Sequence, residues 1–356
     1  MRPLSQERES FIDMETLLLQ NTPQDIARAG KILRGGGLVA IPTETVYGLA
    51  ANALDGAAVA KIFIAKGRPQ DNPLIVHISH LSQWERLVDH IPENAMALAR
   101  EFWPGPLTII LPKSDLIPDE VSAGLATVAV RFPSMRTTRR IIDAAGVPLA
   151  APSANLSGSP SPTCARHTMD DMRGRIEAVL DGGECNFGVE STVVTLATPV
   201  PRLLRPGAVT PEELREVLGE LTIDDAVLGK LKEGVKAASP GMKYKHYSPK
   251  AEITIVKGKL EQFLRYIAAE KEHAPDVKAF ALCFDGEETA VPLPCVTYGR
   301  QDDPLTQSHR LFTALRELDE HGAAIVYARC PSTEGVGMAV YNRLLRAAGF
   351  HVVLAE

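Results

Sequence analysis

The stretch KGRPQDNPLIVHIS, residues 66 to 79, holds the first side chains that could do chemistry. Lys66 and Arg68 flank a glycine where a run with helical periodicity ends and an apolar strand begins. Basic residues in the last turn of a helix complement its dipole, and a glycine just beyond is a usual helix end. The same two cations also suit the binding of an anion. The stretch alone leaves both a helix stop and an anion site open.

Polar side chains recur directly after other predicted strands. Thr43 follows LVAI and Arg131 follows TVAV, while Ser153 and Asn155 follow PLAAP in a loop rich in serine and glycine. The ends of strands in α/β sheets are where ligands are held. Serine and asparagine in such loops also serve turns, so a structural role explains them equally well.

Three more residues extend this set. By the period of two, His77 lies on the strand face opposite its apolar neighbours, which fits either a half-buried core histidine or a ligand contact. Ser191 follows Gly188-Val-Glu190, and Arg205 precedes Pro206-Gly207. Four cations with hydroxyls and an amide suit a polyanion together with a small polar molecule. A nucleoside triphosphate held without a P-loop is the natural candidate.

The elements that must position these residues differ between the two halves of the chain. The first half mixes strands with helices at 24–34, 55–66, 93–103 and 136–145 without strict alternation, which favours an α/β or α+β domain on a twisted sheet. After residue 251 strands and helices alternate regularly, which predicts a small parallel sheet covered on both faces.

A change of composition separates the halves. The segment KLKEGVKAASPGMKYKHYSPK is rich in lysine, proline and glycine and reads as a linker. The predicted domains are therefore 1–219, a linker at 220–250 and 251–356.

Composition excludes several classes of protein. A net charge of −6 argues against a surface that coats nucleic acid. Five widely spaced cysteines without a CxxC pair indicate a reducing compartment. Neither an apolar leader nor a stretch of about 18 apolar residues is present, so a cytoplasmic protein without membrane contact is expected. Gly335-Val-Gly337 lacks the third glycine of a dinucleotide fingerprint and is interpreted as a tight turn.

The motifs PTETVYGL, KGRPxxNPL, SAN and RPG together resemble the YrdC/Sua5 family of threonylcarbamoyl-AMP synthases, and the match spans the chain from about residue 20. The linker SPGMKYKHYSP and the alternating C-terminal half are similar to the two-domain Sua5 branch. The resemblance implies an α/β fold with a YrdC-like twisted mixed-sheet domain that carries a concave ligand site. It also implies a small Rossmann-like parallel-sheet domain, joined by a linker that acts as an active-site lid.

The resemblance also implies a reaction. L-threonine, bicarbonate or CO2 and ATP give threonylcarbamoyl-AMP and pyrophosphate, with Mg2+ brought by the nucleotide and not held by direct protein ligands. The product would pass to a t6A transferase complex that modifies tRNA at position 37, and a weak contact with tRNA is expected. Two alternatives are an RNA-binding module of YrdC fold and a carbamoyltransferase of hydrogenase maturation, although this chain lacks the zinc motifs and acylphosphatase segment of the latter.

By motif, the resemblance implies three sets of site residues. The catalytic set is Lys66, Arg68, Ser153 and Asn155. The ATP-binding set is Lys66, Arg68, Asn72, Thr127, Ser153, Asn155, Ser161, Arg205, Tyr244 and Tyr247. The L-threonine-binding set is Thr43, His77, Arg131, Ala151, through its backbone, and Ser191. Which of the two linker tyrosines contacts the nucleotide is left open.

Overall fold

The computed structural model describes residues 14–229, 247–273 and 275–356. In the first domain, eleven strands of this part of the chain form one sheet in the order β1-β8-β2-β3-β7-β4-β6-β5-β9-β10-β11. They are β1 (Leu17–Leu19), β2 (Val39–Ile41), β3 (Gly48–Asn52), β4 (Ile75–His77), β5 (Leu107–Pro112), β6 (Thr127–Arg131), β7 (Leu149–Ala150), β8 (Ala178–Leu180), β9 (Thr192–Thr195), β10 (Arg202–Arg205) and β11 (Thr222–Ile223). The sheet contains both parallel pairs, such as β4–β6, and antiparallel pairs, such as β5–β6, so the predicted mixed sheet is confirmed.

Helices cover this sheet. They are α1 (Pro23–Arg34), α2 (Gly56–Lys66), α3 (Leu81–Leu87), α4 (Glu93–Phe102), α5 (Asp119–Ser122), α6 (Arg136–Ala145), α7 (Ala165–Met172) and α8 (Pro211–Leu218). Helices α1 and α6 bury Leu33 and Ile142 in one core, whereas α2 buries Val59 and Ile62 in another. In α2 the buried Val59 and Ile62 are residues at helical spacing, which is typical of a helix that packs one face on a sheet.

Local signals fix where these helices begin and end. Gly67 ends α2 in the left-handed conformation with φ of 60°, as predicted. Thr210 begins α8 through a capping box with Glu213, and Pro211 occupies the first turn. Because Gly67 turns the chain away from the helix axis, Arg68 leaves α2 toward the carboxyl end of the sheet.

The second domain has the predicted small parallel sheet. Its strands are β12 (Glu252–Lys257), β13 (Ala279–Cys283), β14 (Cys295–Thr297), β15 (Ile325–Arg329) and β16 (Val352–Leu354), in the order β14-β13-β15-β12-β16. All four pairings are parallel. Helices α10 (Pro304–Glu320) and α11 (Gly335–Ala347) cover one face, and α9 (Leu260–His273) covers the other.

Some elements depart from the sequence pattern. The predicted strands LVAI and PLAAP are shortened to Val39–Ile41 and Leu149–Ala150, because a proline follows each within two residues and cannot donate to the ladder. The strand β3 was not predicted, since its residues GLAAN have little strand propensity.

The segment between the domains is only partly described. Residues 222–223 form β11 beside β10, and a short 3-10 helix follows at Asp225–Val227, so the first sheet extends into the predicted linker 220–250. Residues 230–246, including Tyr244, lie outside the described residues, so the lid stays a prediction.

Candidate active site

A pocket with an open volume of about 530 Å³ lies at the carboxyl ends of β4 and β6. Its wall consists of Thr43, Thr45, Val46, Gly48, Arg68, Ile75, His77, Arg131, Ala151, Pro152, Ser153, Glu190, Ser191, Arg205 and Tyr247. The parallel register places His77 directly beside Arg131, so the strand ends bring the predicted polar residues together.

Arg68 forms part of one side of this wall. Its Nη2 donates to the carbonyl oxygen of Asn72 at 3.3 Å, which ties the guanidinium to the loop that follows α2. Burial lowers the pKa of Arg68 to about 10, so the side chain remains a cation at neutral pH. The helix stop and the candidate anion contact are thus adjacent parts of one turn.

Lys66 and Asn155 lie behind the wall rather than among the residues that line it. The Lys66 ammonium donates to the carbonyl oxygens of Ser153 and Asn155, both at 2.5 Å. The Asn155 amide donates to the carbonyl oxygens of Leu156 and Ser159 at 2.7 and 2.8 Å. Burial, and then the charge of Arg68, holds the pKa of Lys66 well below its usual value. Together these two residues hold the turn that presents Ser153 to the pocket.

Arg205 and Ser191 form a second cationic corner. Arg205 donates from Nε to the Ser191 carbonyl oxygen at 3.0 Å and from Nη2 to the Ser191 hydroxyl at 3.2 Å. The same hydroxyl lies 2.8 Å from Oγ1 of Thr108 on β5. Burial lowers the pKa of Arg205 to about 10, which still leaves it charged at neutral pH.

Arg131 is the centre of another group of contacts at the pocket wall. Its Nη2 lies 2.6 Å from Oε1 of Glu44, and its Nη1 donates to the Thr45 hydroxyl at 2.8 Å. Burial raises the pKa of Glu44, but the charge and hydrogen bond of Arg131 outweigh it and lower the pKa overall. The Thr43 hydroxyl, which shapes the same turn, donates to the Val46 carbonyl oxygen at 2.6 Å.

His77 is a neutral imidazole in this environment. Burial, and then the positive charge of Arg131, lowers the pKa of His77 to about 3. Its Nδ1 lies 3.2 Å from the carbonyl oxygen of Ile75 on the same strand. His77 therefore brings hydrogen-bonding capacity to the pocket at neutral pH without adding charge.

Sequence reasoning missed two acidic residues at the pocket: Glu190, which lines the wall, and Glu44, which pairs with the wall residue Arg131. Glu44 lies inside the motif PTETVYGL, and Glu190 directly precedes Ser191, so both stood beside predicted site residues. The Glu190 carboxylate accepts from the Ser161 hydroxyl at 2.5 Å and from Nε of Arg343 at 2.8 Å. Arg343 belongs to the second domain, and its only sequence signal is its place among apolar residues on α11.

The remaining predicted residues lie at different depths. The backbone N–H of Ala151 donates to Ile75, while Ala151 itself lines the pocket. Asn72 is buried beneath Arg68. Thr127 begins β6 and is four residues from Arg131, a separation of roughly 13 Å along an extended strand. The structure therefore brings most of the predicted set together but leaves Thr127 away from the pocket wall.

Tyr247 is the first described residue after the gap and reaches the pocket from the second domain's side. Its backbone has a φ of 64°, a conformation that is uncommon for a residue with a side chain. Its ring packs on Phe312 with centroids 5.1 Å apart, and the Arg343 guanidinium lies 5.9 Å from the ring centroid. Tyr247 thus lines the pocket, and Tyr244 lies outside the described residues.

The described residues were also compared with the requirements of a metal site and of a membrane span. Across residues 14–229, 247–273 and 275–356, no group of three or more His, Cys, Asp or Glu side chains is arranged to hold a metal ion. Within the same described ranges, every helix is too short or too polar to span a bilayer.

Comparison with known proteins agrees with this architecture. The Sua5/YciO/YrdC family model, described as telomere recombination, matches residues 31–207. A second model, described as the C-terminal domain of threonylcarbamoyl-AMP synthase, matches residues 209–349.

Individual relatives cover nearly the whole chain. A threonylcarbamoyl-AMP synthase of Pyrococcus abyssi is 46% identical over 91% of this chain and 94% of its own. One of Bacillus subtilis is 44% identical over 96% and 98%. The crystal structure of P. abyssi Sua5 complexed with L-threonine has a TM-score of 0.89, 43% identity and coverage of 96% and 99%. This chain therefore belongs to the two-domain Sua5 family of threonylcarbamoyl-AMP synthases.

Proposed function

We propose that this chain joins L-threonine, CO2 or bicarbonate, and ATP into threonylcarbamoyl-AMP and releases pyrophosphate. The observation that carries the proposal is one pocket whose wall contains three arginines, Arg131, Arg68 and Arg205. A carboxylate and a triphosphate are both anions, and arginine is the residue that binds either through paired hydrogen bonds. The relative whose structure holds L-threonine supports the identity of the amino acid.

The end of the pocket around Arg131 is assigned to L-threonine. Arg131 would bind the carboxylate, with Thr43 and Ser191 as hydroxyl partners, His77 as a neutral partner and the backbone of Ala151 as a further contact. The Glu44 carboxylate keeps this end from carrying a full positive charge. The neutral amine of threonine attacks the carbon of CO2. The new N–C bond forms as one C=O π bond opens onto its oxygen, and the N–H proton passes to water, which leaves the carbamate anion.

The end around Arg68 and Arg205 is assigned to the nucleotide. An oxygen of the carbamate forms a bond to the α-phosphorus, while the bond from that phosphorus to the bridging oxygen breaks and its electrons leave with pyrophosphate. Both reacting partners are anions, so arginine charges that are already in place reduce their repulsion and stabilise the charge of the leaving group. Lys66, Asn155 and Asn72 would act by holding Ser153 and Arg68 in place.

Mg2+ is proposed to enter as the magnesium complex of ATP. The carboxylate of the wall residue Glu190 already pairs with Arg343, and the nearby Glu44 carboxylate pairs with Arg131. Mg2+ commonly keeps its water ligands and binds through substrate phosphates, where it neutralises charge. This donor set fits a metal that is held by the phosphates and water.

The carbamate is short-lived in water, so the site must exclude solvent during the reaction. Tyr247 already contributes to the wall, and the predicted lid, residues 220–250, leads into it. We propose that this segment closes over the bound substrates and that positioning supplies much of the acceleration. The product is proposed to pass to a t6A transferase complex in the cytoplasm. The cytoplasm is a reducing compartment, and the five free cysteines agree with such a location.

Pyrophosphate release tests the proposal. Purified protein with Mg-ATP should release pyrophosphate only when L-threonine and bicarbonate are both present, and mass spectrometry should find threonylcarbamoyl-AMP. Lys66→Ala or Arg68→Ala should abolish synthesis while circular dichroism shows an unchanged fold. Pyrophosphate release without threonine, or equal rates with serine and alanine, would contradict the assignment.

A further inference from the structure

The second domain reaches the pocket wall through one buried arginine. Arg343 is 0% exposed, and its Nε donates to the Glu190 carboxylate at 2.8 Å. Its Nη2 donates to the Glu190 carbonyl oxygen at 3.1 Å, and its Nη1 donates to that of Pro206 at 2.7 Å. Both acceptor residues belong to the first domain. A side chain of α11 in the second domain therefore binds Glu190, a residue of the pocket wall.

Glu190 is an unexpected residue in a pocket for a polyanion. It lines the wall together with Arg205, and its carboxylate also accepts a hydrogen bond from Ser161. A buried carboxylate that lacked a cationic partner would repel the phosphates and would compete with them for Arg205. Two unit charges a few ångströms apart at an effective dielectric of about 20 change an equilibrium constant by roughly 10-fold or more.

The carboxylate of Glu190 is held in its charged form. Burial raises the pKa of Glu190, but the charges of Arg343 and then Arg205, with the Ser161 and Arg343 hydrogen bonds, outweigh burial and lower the pKa overall. Arg343 is the larger of the two cationic influences. If Arg343 were absent, Arg205 alone of these two cations would compensate the charge of Glu190.

We propose that Arg343 is a positioning residue for the nucleotide: by neutralising Glu190 across the domain interface, it leaves the charge of Arg205 to act on the phosphates and keeps Ser161 in place. The second domain thereby contributes to the reaction without touching the substrates. This inference rests on the proposed function, because it takes the anion in the pocket to be ATP.

Other contacts hold the domains together independently of Arg343. Arg316 on α10 forms a 2.8 Å ion pair with Asp171 and donates to the Pro160 carbonyl oxygen at 2.6 Å. Arg346, one turn after Arg343 on α11, donates to the Ala226 carbonyl oxygen at 2.7 Å. The effect of Arg343 on Glu190 can therefore be separated from the docking of the domains.

Four variants of the full-length chain separate these effects. They are Arg343→Gln, Arg343→Gln combined with Glu190→Gln, Arg343→Lys, and Arg346→Gln as the matched control on the same helix. For each, the KM for Mg-ATP and for L-threonine is measured by pyrophosphate release. The Kd for the magnesium complex of a non-hydrolysable ATP analogue is measured by calorimetry.

Arg343→Gln should raise the KM for Mg-ATP and the Kd for the analogue at least about 10-fold, with the threonine KM changed less than about twofold. The double variant should return both nucleotide values to within about threefold of the parent protein, because neither charge remains. Arg343→Lys should fall between Arg343→Gln and the parent protein. Arg346→Gln should change the nucleotide values less than about twofold.

The proposal is overturned if the double variant binds the analogue as weakly as Arg343→Gln, if threonine affinity falls equally, or if Arg346→Gln causes the same loss. If Arg343→Gln does not fold, the lysine and double variants still decide between a charge effect and a packing effect. Analogue binding needs no turnover. A parent protein that shows no threonine-dependent pyrophosphate release would therefore contradict the proposed function alone.

Discussion

The two ends of the pocket contain similar ion pairs that are built in different ways. At one end Glu44 and Arg131, 2.6 Å apart, both come from the first domain. At the other, Glu190 of the first domain pairs at 2.8 Å with Arg343 of the second. The ion pair assigned to the amino acid is thus formed within the first domain, whereas the pair assigned to the nucleotide needs both domains. The second domain is part of the site and does more than stabilise the fold.

The largest expected effect at the self-contained end comes from Arg131→Ala. Losing the cation that would bind the threonine carboxylate, and leaving Glu44 buried without its partner, should raise the threonine KM by about 100-fold or more. The Kd for the Mg-ATP analogue should change less than about threefold, because Arg131 is assigned to the amino acid and not to the nucleotide. Steady-state kinetics and calorimetry measure the two quantities.

Arg202→Ala is a suitable control for that change, because Arg202 forms a more exposed pair with Asp224 at 3.4 Å. It should alter neither value by more than about twofold. An equal loss of threonine and nucleotide affinity in Arg131→Ala would remove the distinction between the two ends.

A smaller effect concerns acid stability at the same end. The pKa of His77 is about 3 in the folded protein and about 6.5 in the unfolded chain, so the unfolded chain takes up a proton first as the pH falls. The stability linked to His77 is therefore complete above about pH 6.5 and is lost progressively between pH 6.5 and 3. The loss amounts to roughly 2 kcal/mol at pH 5.

Urea unfolding at pH 8 and pH 5 measures this effect. The free energy of unfolding should fall by roughly 2 kcal/mol less in His77→Gln than in the parent protein. Parallel pH dependence in the two proteins would show that His77 is not held neutral by its surroundings.

The smallest effect is expected at Gly67, next to the end assigned to the nucleotide. Gly67 has a φ of 60°, and no atom lies within 4 Å of an added Cβ, so Gly67→Ala strains only the backbone. The free energy of unfolding should fall by about 1 kcal/mol. A shift of Arg68 should raise the KM for Mg-ATP no more than about threefold.

Gly124→Ala is the matched substitution, with φ of 72° and equally open space. It should reduce stability by a similar amount and leave the KM for Mg-ATP unchanged. If Gly67→Ala were as stable as the parent protein, the helix end would not depend on the left-handed conformation.

Local patterns in the sequence predicted much of the fold. Helix α2, its end at Gly67 and the capping box at Thr210 depend on neighbouring residues, so periodicity and capping residues reveal them. The mixed sheet and the parallel sheet followed from how strands and helices alternate. The order of the strands could not be predicted, because pairing joins segments far apart in the chain.

The site residues also divide into those that local motifs predict and those that depend on distant parts of the chain. Arg68, Arg131 and Ser153 were predicted from motifs, and the structure places all three in one pocket wall. The pairing of Glu190 with Arg343 joins residues 153 positions apart, and nothing near Arg343 in the sequence indicates its partner. The depth of Lys66 behind the wall was also unpredictable, because it depends on the turn at Ser153 that Lys66 itself binds.

The bridge from Arg343 to Glu190 has a consequence for how such a chain can evolve. A chain reduced to its first domain would keep a buried acid beside a site for phosphates and would lose the cation that compensates it. We therefore expect positions 190 and 343 to vary together among descendants. Loss of the second domain should accompany a neutral residue at position 190 or a new cation nearby. The gain of that domain, in turn, would have allowed an acidic residue to persist there.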